Sequence, residues 1–245
     1  MQQHAPDPDG TRVAATVVLV RDGDHGLEVL LVERPSARGS FAGAWVFPGG
    51  SVDPEDWPAQ HPEAEPDEEH AARTAAVREV REETGLEVRP GDLVVASRWT
   101  PPSSAPRKFR TWFYLAPAPA GDIVLSPNEC VDYVWLNPDA ALARHAGGGL
   151  QLVPPTWVTL HGLVGIDTAA EALDPVRHAA RQDFATHVIR MEDGAVMLWD
   201  GDVAYDDDTL FETDGARHRL DARTLPWLYT RSPDPIRPPS APARH

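Results

Sequence analysis

From Ala71 to Thr84 the chain runs fourteen residues without glycine or proline. The stretch is rich in strong helix formers, follows a block of acidic residues and ends at Gly85, a residue suited to closing a helix. The pattern predicts a helix over 71–84. At 3.6 residues per turn Glu79, Glu82 and Glu83 stand at i, i+3 and i+4, so three carboxylates share an arc of about 100° while Val77 and Val80 point elsewhere and give the helix a face to pack. Like charges this close repel unless something positive stands among them. Two arrangements satisfy them: a solvated acidic face with Arg78 and Arg81 as partners, or a divalent cation. Hard carboxylate oxygens suit Mg²⁺ or Mn²⁺.

The rest of the chain supplies enough apolar material to bury such a helix, 42% of its 245 residues. Arg12 to Arg21 and Leu27 to Arg34 read as two strands around an Asp-Gly-Asp-His-Gly turn. Leu93 to Trp99, Thr111 to Leu115 and Val131 to Leu136 read as further strands, and Pro138 to His145 as a short helix. Beyond Gly147-Gly148-Gly149, the stretches 156–163 and 169–182 read as helices, and 187–191 with 195–199 as a hairpin around Glu192-Asp193-Gly194. Trp199, Trp227 and Tyr229 are assigned to the core of this C-terminal part. Residues 1–11 and 232–245 are too polar and proline-rich for regular structure and are expected to be disordered. Strands mixed with a few helices imply an α/β or α+β domain over 12–145, with a helical and hairpin extension over 146–231 packed on it.

Charge and cysteine usage exclude several classes of function. The formal charge is −16 and no basic stripe stands out, which excludes binding to a nucleic acid backbone. The longest apolar run, 13–20, is far short of a bilayer span, so no membrane anchor is expected. A single cysteine, Cys130, rules out an intrachain disulfide and points to a reducing cytoplasm.

The segment Arg78-Glu79-Val80-Arg81-Glu82-Glu83-Thr84-Gly85-Leu86, with Gly49-Gly50 upstream after Trp45-Val46-Phe47-Pro48, resembles the Nudix box. The resemblance covers Val13 to about Leu142 and implies an α/β/α sandwich with a mixed sheet. In the usual box a glutamate follows the second glycine by six residues and the arginine comes after seven more. Here Asp56 stands at that place, and 21 residues, Trp57 to Val77, precede Arg78. An insertion over about 57–69, rich in Pro, Glu and Asp, has lengthened the loop. The insertion, the pair Asp53 and Asp56, and Leu30, Leu31 and Arg34 resemble the coenzyme A diphosphatase branch of a bacterial Nudix enzyme. The histidine that branch often carries before its glycine is Phe41 here.

The resemblance implies a hydrolase that cuts the diphosphate of a nucleoside diphosphate linked to another group. Coenzyme A or an acyl-coenzyme A is the expected substrate; ADP-ribose, a dinucleotide or a nucleotide sugar is the alternative. A non-catalytic nucleotide sensor is a further class, although such domains usually lose box glutamates and all three are present. Glu79, Glu82 and Glu83 are then the expected ligands of Mg²⁺ or Mn²⁺, and Arg78 the residue that orients a box carboxylate. Gly49 and Gly50 would let backbone approach metal or phosphate closely. Glu129, ahead of the strand 131–136, resembles a further acid, a metal ligand or general base. Arg34 is expected to bind substrate. Arg107, Lys108 and Arg110, the densest basic cluster, are expected to hold a 3′-phosphate. Trp157 and His161 lie four apart on one helical face, which core packing explains as well as catalysis does. A homodimer is compatible with this reading.

Overall fold

The valine- and leucine-rich runs pair as an antiparallel hairpin, β1 (Arg12–Gly23) and β2 (Gly26–Glu33), with Gly23 opposite Gly26. They belong to a computed structural model that describes residues 10–36, 42–58 and 67–232. Nearly all of the two termini expected to be disordered, Phe41, and the middle of the insertion lie outside the described residues.

After the hairpin come β3 (Trp45–Val46), β4 (Gly49–Ser51) and a 3₁₀ turn, Pro54–Asp56. The glutamate helix, α1, runs Glu68–Thr84. It starts three residues before the predicted 71 because the Asp67 carboxylate accepts from the His70 N–H and caps the first turn, so acidic residues expected to precede the helix lie inside it. Strands β5 (Val94–Thr100), β6 (Phe109–Pro117) and β7 (Asp132–Leu136) follow, then helices α2 (Pro138–Ala146), α3 (Pro154–Gly162) and α4 (Ala169–His178).

The strands form one mixed sheet in the order β3-β2-β1-β6-β5, with β4 also on β1 and β7 also on β2. β1 runs parallel to β6 along its length, from Arg12 opposite Phe109 to Val20 opposite Pro117. Alternation along β1 decides the layers. Val17 and Leu19 face α1, with Leu30, Trp112 and Tyr114 beside them; Val18 and Val20 face the opposite way, toward α2, α3 and α4. Ala71, Ala72, Ala75 and Ala76 are all 0% exposed, and their small side chains let α1 lie close on the sheet. The result is the α/β/α arrangement expected of the resemblance.

Two sequence expectations for the C-terminal part are corrected. The helix predicted over 169–182 stops at His178, and Gln182 opens a strand, β8 (Gln182–Ala185), laid parallel to β5 at the edge of the main sheet. The hairpin 187–199 is present as β9 (His187–Met191) and β10 (Gly194–Leu198), but it is half of a four-stranded sheet completed by β11 (His218–Asp221) and β12 (Leu228–Arg231). Neither of the last two strands has a long apolar alternation, so pairing and not local pattern creates them. Trp99 of β5 stacks on Phe184 of β8 at 4.0 Å between ring centres, and Trp199 stands edge-on to both at 5.6 and 5.5 Å. These rings carry the second sheet against the first. Among the described residues no helix is long and apolar enough to cross a membrane.

The second sheet is tied by a buried ion pair. Asp202, whose side chain is 0% exposed, accepts from Arg219 Nε at 2.7 Å and Nη2 at 2.5 Å, and from the N–H groups of His218 and Ala204. Burial pushes the Asp202 carboxyl up, but these hydrogen bonds outweigh it and hold it below its ordinary value. Its contribution to stability is therefore full above the ordinary aspartate range and is lost as pH falls through the lowered value. Replacing Asp202 by Ala strands the half-buried Arg219 and is expected to cost about 3–5 kcal/mol in a denaturant titration at neutral pH. The difference from wild type should shrink on acidification; a constant difference down to acid pH would contradict the assignment.

Candidate active site

The last two turns of α1 meet β4 at β1. Gly49, Gly50 and Ser51 pair with Thr16, Ala15 and Ala14, and the Thr16 hydroxyl, 2.8 Å from the Pro48 carbonyl, fastens the preceding turn. A Cβ on Gly49 would lie 2.2 Å from the Ala15 carbonyl oxygen, and one on Gly50 would lie 2.4 to 2.6 Å from the Glu79 carboxyl group. The two glycines thus serve different contacts: the first lets strand meet strand, the second lets a carboxylate rest on backbone.

Glu83 is turned inward, 5% exposed, and one carboxylate oxygen accepts from the Gly49 N–H at 2.8 Å. Burial pushes its carboxyl up to about 8, against the Gly49 hydrogen bond, with the charges of Glu79 and Glu129 adding to the rise and Arg34 opposing it. Burial likewise raises Glu79, opposed by Arg78 and reinforced by Glu82 and Glu129. Four carboxylates therefore feel one another at one end of the sheet.

Arg78 is the cation among them. Its guanidinium donates to Asp56 at 2.8 and 3.2 Å, to the Ser51 carbonyl at 2.9 Å, to Glu79 at 2.8 Å and to Glu82 at 2.9 Å. The hydrogen bonds to Asp56 dominate, against burial, in raising the guanidinium well above its ordinary value. Asp56 is 4% exposed and is itself placed by the 3₁₀ turn, where its carboxylate accepts from the Asp53 N–H at 2.8 Å. Asp56, which was not among the expected site residues, is thus the partner that anchors Arg78. The signal was available in the pattern Asp53-Pro54-Glu55-Asp56, a capped turn that aims its last carboxylate inward.

Glu129 arrives by a separate route. The loop after β6 is sewn to the end of α1: the N–H of Val124 donates to the Thr84 carbonyl and that of Ser126 to the Glu83 carbonyl, at 2.9 and 3.1 Å. Cys130 then comes to lie 1% exposed against Glu83, which accepts a hydrogen bond from its thiol; burial first, and the Glu83 charge second, push that thiol up to about 12. Arg34, just after β2, has a buried Nε without a hydrogen-bond partner among the described residues and lies within electrostatic reach of Glu83 and Cys130.

The donor set fits a hard divalent cation: several carboxylates from α1 and one from a neighbouring loop, with a guanidinium standing between Glu79 and Glu82 where positive charge is required. Among the described residues the carboxylates do not form a group of three closed around one point. Glu82 and Glu79 are turned to Arg78 instead, and holding a metal requires Glu82 to swing from that contact.

The basic cluster is elsewhere. Arg110 is paired with Glu68 at the first turn of α1, where Trp112 Nε1 also donates to Glu68 at 2.6 Å. Glu68 and Glu79 are eleven residues apart, about 16 Å along the helix axis. The structure thus ties Arg110 to Glu68 and not to the box carboxylates, and Arg107 and Lys108 precede it at that same end of β6. His161 is exposed; its ring stacks on Trp157 at 5.2 Å and meets Tyr229 at 5.3 Å, contacts that join α3 to β12.

A family model described as NUDIX domain matches residues 10–154. The CTP pyrophosphohydrolase of Escherichia coli (strain K12) is 32% identical over 125 residues, 51% of this chain and 75% of its own. A NUDIX hydrolase structure from Alicyclobacillus acidocaldarius superimposes with a TM-score of 0.59 at 26% identity, over 69% of this chain and 98% of its own.

Gly50→Ala should push the Glu79 carboxyl group off the β4 backbone and lower turnover at least about tenfold with little loss of melting temperature. Gly49→Ala should instead break the β1–β4 contact and lower the melting temperature by several degrees. Equal effects of the two on stability would show that the glycines do not divide the work in this way.

Proposed function

The chain belongs to the Nudix family and is a hydrolase of nucleoside diphosphate derivatives; within that activity we propose that its substrate is coenzyme A or an acyl-coenzyme A, cut within the diphosphate. The observation that carries this reading is Arg34. It follows Leu30 and Leu31 in the pattern that resembles the coenzyme A branch, and its guanidinium, with one nitrogen buried and unpartnered among the described residues, stands beside the glutamate site as a donor for a diphosphate oxygen.

The chain's residues then divide the chemistry. Glu79, Glu82 and Glu83 would hold Mg²⁺ or Mn²⁺, which when bound would neutralise the diphosphate and acidify the attacking water. Arg78, gripped by Asp56, would hold Glu79 in place and release Glu82 toward the ion. Glu129 takes the proton of the water as its oxygen attacks phosphorus. The bridging P–O bond breaks, and the leaving phosphate departs from Arg34. Water is thereby divided between two phosphate products with no change of oxidation state.

A second reading has its own support. The relative at 32% identity is named for CTP, so a nucleoside triphosphate cut to a monophosphate and diphosphate belongs in the same test. Full-length protein with Mg²⁺ or Mn²⁺ and a mixture of coenzyme A, acetyl-coenzyme A, ADP-ribose, a dinucleotide and CTP should form phosphopantetheine and adenosine 3′,5′-bisphosphate fastest, as read by mass. CTP consumed at a higher kcat/KM than coenzyme A would reverse the order of the two readings. Removing divalent ions with a chelator should abolish turnover and adding Mg²⁺ or Mn²⁺ restore it. Glu82→Gln and Glu83→Gln should each lower kcat by about a hundredfold or more in a folded protein. Retention of more than about a tenth of wild-type turnover by both would remove these residues from the metal site.

A further inference from the structure

The solvent side of α1 bears a groove of about 730 Å³, within the size range of small-ligand sites, lined by His70, Arg73, Thr74, Arg78, Arg81 and Glu82 among others. Three arginines and one glutamate line it, and the ion pairs made by two of the arginines leave one cation to spare. Two of them are fixed as walls. Arg73 donates to the carbonyls of Pro90 and Leu93 at 3.1 and 2.5 Å, pairs with Glu69 at 3.0 Å and lies over the Tyr114 ring. Arg78 is closed on Asp56, Glu79 and Glu82. Arg81 is different: it is exposed, and among the described residues its guanidinium has neither a hydrogen bond nor an ion pair. Glu82 lines the same groove, which borders the glutamate site through that side chain.

We propose that this groove is an anion subsite in which Arg81 binds a phosphomonoester that the substrate carries beyond its diphosphate. The inference rests on the reading of the glutamate site as a diphosphate site, and it does not need coenzyme A to be the substrate. A guanidinium with all its donors free matches a phosphate dianion in a two-point contact. Position supports the assignment over the basic cluster on β6. Arg81 is unpaired among the described residues and shares its groove with Glu82, whereas Arg110 is tied to Glu68, about 16 Å up the axis from Glu79. The competing account of Arg81 is a solvated cation near the helix C-terminus that favours the helix dipole. That account predicts a small effect on stability and none on ligand choice.

The test uses the full chain in Mg²⁺ and two probes, AMP and adenosine 3′,5′-bisphosphate, titrated calorimetrically into wild type, Arg81→Ala and Arg81→Lys. Wild type should bind the bisphosphate about tenfold more tightly than AMP, the ratio expected of one charge-assisted contact. The ratio should fall to about one in Arg81→Ala and be partly kept in Arg81→Lys, with melting temperatures unchanged. A ratio near one in wild type, or one that Arg81→Ala leaves unchanged, would overturn the proposal. Inorganic phosphate is the third probe. If its binding depends on Arg81 and is as tight as the gain shown by the bisphosphate, the groove takes free phosphate and not an arm of the substrate, which also overturns the proposal. Hydrolysis assays separate this from the function proposed above. An Arg81-dependent preference for the bisphosphate in a protein that leaves coenzyme A intact sinks the coenzyme A reading and keeps the subsite. Hydrolysis of coenzyme A and its 3′-dephospho form at equal kcat/KM, in both wild type and Arg81→Ala, does the reverse.

Discussion

One guanidinium closes the site. Arg78 donates at once to the 3₁₀ turn through Asp56, to strand β4 through the Ser51 carbonyl, and to its own helix through Glu79 and Glu82. Without a cation there, carboxylates gathered on one arc of α1 would repel one another and the helix would have no reason to hold them together. The same contact explains how the chain tolerates 21 residues between Asp56 and Arg78. Closing a longer loop costs only slightly more entropy, and the ion pair joins its two ends directly whatever lies between them.

Around that contact the site is assembled from segments that reach it by separate paths, all referred to β1. β4 is paired to β1, and its Gly49 N–H holds Glu83; α1 lies on β1 through alanines; β2, antiparallel to β1, delivers Arg34; and the loop after β6, the parallel neighbour of β1, carries Glu129 and Cys130 to the end of α1. Within that enclosure Glu79 and Glu83 are both raised, by burial first and by neighbouring carboxylates after it.

How much of this was legible in the residues follows from the range of the interactions. The glutamate helix, its stop at Gly85 and the strands of the first hairpin depend on local periodicity and turn chemistry, and each is found within a few residues of its expected bounds. β8, β11 and β12 were not legible, because four-residue strands with little alternation exist only through pairing, β8 with β5 some eighty residues before it and β12 with a β11 that itself leans on β10. Gln182 reads as the end of a helix until β5 is beside it. Arg110 reads as a free cation until Glu68, 42 residues away, is brought to it.

By itself the sequence determined which residues share a helical face, where glycine replaces a side chain, and that the chain carries the Nudix box, since these are properties of spacing along the backbone. Tertiary structure alone decided which charges are paired. It gave Arg78 to Asp56, Arg110 to Glu68 and Asp202 to Arg219, left Arg81 without a partner among the described residues, and buried Glu83 against Gly49. The reason is physical. A charge's protonation and availability depend on solvent exclusion and on neighbours within a few ångströms, and folding chooses those neighbours from residues that the chain order keeps far apart.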